Sequence, residues 1–126
     1  MKKAPIWDEI ASYAKEFPNL IYEILPLVSF DSQTDINGLV GIINSADKKE
    51  DYPLFKKCMK TCLKQDFKTT YSGLDYFVRN GEKKDIPLVK SMLNKGIMSS
   101  IYASEIIENS CKKEDKEHLE NIFSEN

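Results

Sequence analysis

Apolar residues recur along this chain in short blocks at helical spacing, and polar runs of a few residues separate the blocks. The stretch 72–96 shows the pattern most plainly. Ser72 can cap a helix, with Asp75 in its first turn, and Leu74, Phe77 and Val78 then fall on one face. Asn80-Gly81 is expected to end that helix through a left-handed glycine. After the polar turn Glu82-Lys83-Lys84, Asp85 is placed to cap a second helix with Pro87 in its first turn. Leu88, Val89, Met92 and Leu93 form its apolar stripe, and Lys95-Gly96 closes it. Neither helix is long enough to be stable alone, so the pair must bury its apolar faces on neighbours.

The rest of the chain echoes this unit. Asp85-Ile86-Pro87-Leu88 has a counterpart in Asp51-Tyr52-Pro53-Leu54, thirty-four residues earlier. Pro18 precedes Pro53 by thirty-five, and the lysine pairs Lys48-Lys49, Lys83-Lys84 and Lys112-Lys113 step by thirty-five and twenty-nine. Apolar columns keep the same register: Leu25, Met59, Leu93 and Phe123; Ile24, Cys58, Met92 and Ile122; Ile10, Ile43, Val78 and Ile107. Independent columns repeating near this length predict stacked helical pairs, an all-α solenoid of about four units. Upstream, Ile6, Ile10 and Ala14 define a first helix, Phe17-Pro18 breaks it, and Pro26 ends the next after Leu25. Phe30 to Asp35 reads as a polar loop before an inner helix carrying Ile36, Leu39, Val40 and Ile43. Leu54, Phe55, Cys58, Met59, Cys62 and Leu63 make the cleanest stripe.

On these residues the chain resembles the ankyrin-repeat family. Gly73–Ile97 carries the likeness best: Asn80-Gly81 is similar to the family's inter-helix turn, and Met92-Leu93-Asn94-Lys95-Gly96-Ile97 to its Leu-Leu-x-x-Gly-Ala. The family's Thr-Pro-Leu-His opening is replaced by Gly38-Leu39-Val40 and Gly73-Leu74-Asp75. The resemblance implies one domain over residues 1–126, with repeats at roughly 5–30, 36–66, 72–97 and 101–124. HEAT-like or tetratricopeptide-like hairpins are the structural alternative.

Composition changes the picture little. A net charge of −2 gives no reason to invoke nucleic acid or a membrane. No apolar signal segment follows Met1-Lys2-Lys3, and no run is long enough to span a bilayer. Three cysteines suit reduced thiols and a cytoplasmic setting. Cys58-x-x-x-Cys62 with the single His118 has the residue types of a zinc site, but Cys58 sits in a core column, where a free cysteine behaves as a small hydrophobe. Cys111 falls in a predicted turn. Ser45-x-x-Lys48 and Ser110-x-x-Lys113 match a two-residue acyl-enzyme pattern without its companion motifs. No carboxylates pair in a predicted cleft, the single His118 sits on a terminal helix away from a Ser or Cys nucleophile, and no phosphate loop occurs, so neither catalysis nor a cofactor is expected. Acidic residues interleave with the repeated lysine pairs, which reads as solvated turns.

The family resemblance implies a monomeric module that binds another protein on the side formed by the loops and first helices. The residues this implies are Phe30, Asp31, Gln33, Phe67, Lys68, Thr70, Met98 and Ser99 on the loops, with Asp75, Tyr76 and Arg79 on an inner helix. An inhibitor of the immunity-protein type and a secreted effector that binds a host protein both fit such a module.

Overall fold

The computed structural model describes residues 7–14, 16, 17 and 19–99. Over these the chain is helical, with no strand: α1 (Trp7–Tyr13), α2 (Leu20–Ile24), α3 (Gln33–Ala46), α4 (Tyr52–Gln65), α5 (Tyr71–Asn80) and α6 (Ile86–Asn94). The expected fourth pair, with Ser110, Cys111, Lys113 and His118, lies outside the described residues, as do Ile6 and Pro18.

Local chemistry sets the helix ends. Pro26 stops α2 at Ile24 and leaves a 3-10 turn, Leu25–Leu27. α3 begins at Gln33, earlier than the apolar pattern suggests, because the Ser32 hydroxyl accepts the Asp35 N–H at 3.2 Å and draws polar residues into the first turn. Pro53 and Pro87 occupy the first turns of α4 and α6, each after a 3-10 turn, Lys49–Asp51 and Lys83–Asp85. Three helix exits, at Gly81, Asp47 and Asp66, depart from the glycine pattern expected from sequence. Gly81 is extended, with φ −70°, not left-handed. A Cβ there would overlap the Phe77 ring and carbonyl, so this glycine answers to close packing. The left-handed exits are Asp47 (φ 52°), Asp66 (φ 57°) and Gly96 (φ 75°). Ser72 lies inside α5, whose cap position is Thr70. Asp85 sits at the cap position of α6, but its carboxylate is used elsewhere.

The helices pack in two rows. α1 rests on α3 and α3 on α5; α4 rests on α6, and α2 and α4 both touch α3. The core joins them: Ile36, Leu39, Val40 and Ile43 from α3; Phe55, Cys58, Met59 and Cys62 from α4; Leu74, Phe77 and Val78 from α5; Val89 and Met92 from α6. The column Ile24, Cys58, Met92 is buried at every described position. Phe55 stands between Tyr76 and Phe77, with ring centroids 4.7 and 6.5 Å away.

Polar links tie one pair to the next. The Tyr22 hydroxyl donates to Asp51 at 3.0 Å, and the Tyr52 hydroxyl donates to Asp85 at 2.6 Å while accepting the Glu82 N–H. The loops are joined as well. The Lys68 N–H donates to the Gln33 side chain, its carbonyl accepts from Asn37, and the Thr69 N–H donates to the Ile97 carbonyl at 2.9 Å.

Candidate protein-binding face

The row α1, α3, α5 carries two recesses. The first, of about 550 Å³, lies between the start of α3 and the loop entering α5, with Trp7 and Ala11 from α1 on one wall and Gln33, Thr34, Asn37, Gly41 and Thr70 on the others. Gly38 sets its shape, since a Cβ there would overlap the Trp7 indole. The ring can therefore lie directly on the α3 backbone. Gly41 has nothing within 4 Å of where its Cβ would be, which leaves the recess open one turn further along. Trp7 Nε1 and Asn37 Oδ1 are both cut off from solvent with no hydrogen-bond partner. Both residues line this recess.

The second recess, of about 460 Å³, lies beside it and is lined by Ser12, Asn44, Ser45, Asp75 and Arg79. Its charged groups and Asn44 are already engaged. Arg79 meets Asp75 at 2.8 Å and Asp47 at 3.1 Å, and donates to the Asn44 side chain. Asn44 donates to Asp75, and Asn80 to Asp47. Burial pulls the Arg79 pKa down, but its hydrogen bonds to the Asp75 and Asp47 carboxylates outweigh it and keep the guanidinium charged. Arg79 thus cross-links α3 and α5.

The expected site residues separate into groups. Gln33 and Thr70 border the first recess, and Asp75 and Arg79 the second. Asp31 and Lys68 are exposed, with Asp31 accepting from Gln65 and Lys68 Nζ donating to the Gly96 carbonyl. Phe30 and Phe67 are half-buried against the core, and Lys57 lies over the Phe30 ring at 4.3 Å. Ser99 is half-buried at the end of the described chain. Tyr76 and Met98 do not fit the expectation. Tyr76 is 0% exposed, its ring in the aromatic cluster and its hydroxyl donating to the Lys48 carbonyl at 2.6 Å. Met98 is 1% exposed. An apolar residue on an inner helix or in a loop can signal sealing as readily as recognition, and here it seals.

Trp7, Asn37 and Gly41 also border the first recess and are not among the residues expected from the sequence. Trp7 could have been suspected as the sole tryptophan of the chain, but its recess depends on Gly38, thirty-one residues away.

Cys58 and Cys62 are free thiols in the core. Burial pushes their pKa values up to about 12 and about 11, so both are neutral and poor nucleophiles near neutral pH. Among the described residues, no group of three or more His, Cys, Asp or Glu side chains is placed to hold a metal, and no helix is long and apolar enough to cross a membrane.

No protein-family model, curated protein or solved structure matches this chain.

Proposed function

We propose that this chain is a non-catalytic protein-binding module, built as an ankyrin-like stack of helical pairs. In this reading it takes a main-chain segment of a partner protein into the recess under Trp7. One observation carries the reading: Trp7 and Asn37 border one recess, and each holds an unpartnered buried polar atom behind its wall that a small side-chain shift would bring to a bound peptide. Leaving such a group buried and unpaired costs about 1–3 kcal/mol, and buried polar groups in native proteins are nearly always paired. A peptide group has what both need, a carbonyl for the indole N–H and an N–H for Asn37. The neutral lining of Gln33, Thr34 and Thr70 suits a peptide better than a phosphate backbone.

Affinity capture with Gly41→Arg tests the proposal. An arginine there fills the recess from an open position, so the fold should hold while the partner is lost. Glu23→Arg, at an exposed position of α2, should keep the partner. Equal recovery of the same partner by wild type and Gly41→Arg, with the variant folded by circular dichroism, would contradict it.

A further inference from the structure

Opposite its buried face, α4 carries a second feature. Phe55, Cys58, Met59 and Cys62 point into the core, while Lys56, Lys57, Lys60 and Lys64 share the outer side at helical spacing. The helix contains no acidic residue, in a chain where acidic residues outnumber basic ones. These lysines line a groove of about 550 Å³ with an apolar floor at Tyr52 and Pro53. Lys56 is committed to Asp85 at 3.2 Å, and Lys57 lies over Phe30. Lys60 and Lys64 are exposed and have no anionic partner among the described residues. At the far end Glu82 pairs with Lys84 and brings negative charge to the rim.

We infer that this groove is a second docking site, for a short acidic segment of a partner protein. The inference goes beyond the reading of the Trp7 recess and does not rest on it. Charge complementarity selects the occupant. Lys60 and Lys64 stand one turn apart, about 6 Å along the axis, which matches carboxylates on neighbouring turns of a helix or alternate residues of an extended strand. The Lys side-chain stems and Pro53 offer apolar contact to the methylenes of a glutamate. Glu82 in the lining, and Asp85 holding Lys56 beside it, interrupt the row of lysines and oppose a long, uniform polyanion, which favours a peptide over nucleic acid.

Fluorescence anisotropy with labelled hexaglutamate and, separately, a labelled thymidine hexanucleotide tests this. The peptide should bind the wild type at low salt and weaken steeply as ionic strength rises and the screening length falls from about 30 to about 8 Å. Lys60→Glu/Lys64→Glu should weaken it by about tenfold. Lys49→Glu/Lys95→Glu, an equal charge change elsewhere, should alter affinity by less than about twofold. Three results would each overturn the proposal: no peptide binding at low salt, equal loss in both double variants, or tighter binding of the oligonucleotide than of the peptide.

Discussion

Asp47 and Asp66 share a left-handed backbone at a helix end and differ in how firmly their carboxylates are held. That conformation costs a residue with a Cβ about 1–2 kcal/mol relative to glycine. Asp66 has one long contact, to Lys95 at 3.4 Å, between two exposed side chains. Asp66→Gly should therefore raise stability, by up to about 1 kcal/mol in urea unfolding. Asp47 receives both Arg79 and Asn80, so Asp47→Gly should lower stability despite relieving the same strain. The glycines of α3 form a similar contrast. Gly41→Ala, in open space, should stabilise by about 0.5–1 kcal/mol through helix propensity. Gly38→Ala displaces the Trp7 indole and should cost about 1–3 kcal/mol. The core thiols give a pH signature. Their folded pKa values, raised by burial, lie above an unfolded value near 8.5. Their contribution is complete below about pH 8.5 and is lost as pH rises towards the folded values. Cys58→Ala/Cys62→Ala should flatten the fall in stability on the alkaline side, read by chemical denaturation across that range.

Between elements, the Tyr52–Asp85 link decides how one pair holds the next. Burial pushes the Asp85 carboxyl up, but hydrogen bonds from Tyr52 and Lys56 and the charges of Lys56 and Lys84 outweigh it and hold it below the usual range. The depressed pKa contributes stability that is present above the ordinary carboxylate value and lost as pH falls through the folded one. Asp85→Asn should therefore blunt acid destabilisation below about pH 4, and Tyr52→Phe should cost about 1 kcal/mol at neutral pH. Helix positions were legible at this scale. The recurring Asp-x-Pro-Leu and the Ile24, Cys58, Met92 column located α4 and α6 and the core face between them. Helix ends were less so, because Ser32 capping and the left-handed aspartates depend on local hydrogen bonds that the apolar period does not record. The aspartate in Asp-x-Pro-Leu looks like a cap, but neither Asp51 nor Asp85 makes a side-chain cap bond. Each instead accepts a tyrosine from the preceding pair. That role was hidden because the tyrosines, Tyr22 and Tyr52, are spaced differently from the aspartates they meet.

Across the whole molecule, the two helix rows leave two faces of different chemistry. The α1–α3–α5 face is neutral at the Trp7 recess and cross-linked by Arg79 beside it. The outer side of α4 is cationic. The family resemblance implied contacts on the loops and first helices, and two of the residues it named there, Tyr76 and Met98, are core. A single apolar residue cannot declare which way it faces when its neighbours come from another helical pair. Because the chain has one tryptophan, emission from Trp7 reports directly on the proposed binding recess. The decisive measurement is tryptophan fluorescence during titration with the captured partner, using a tryptophan-free segment of it. A saturable shift in Trp7 emission, absent in Gly41→Arg, is the predicted result. Binding that leaves Trp7 emission unchanged, or that shifts it equally in wild type and Gly41→Arg, would contradict the account.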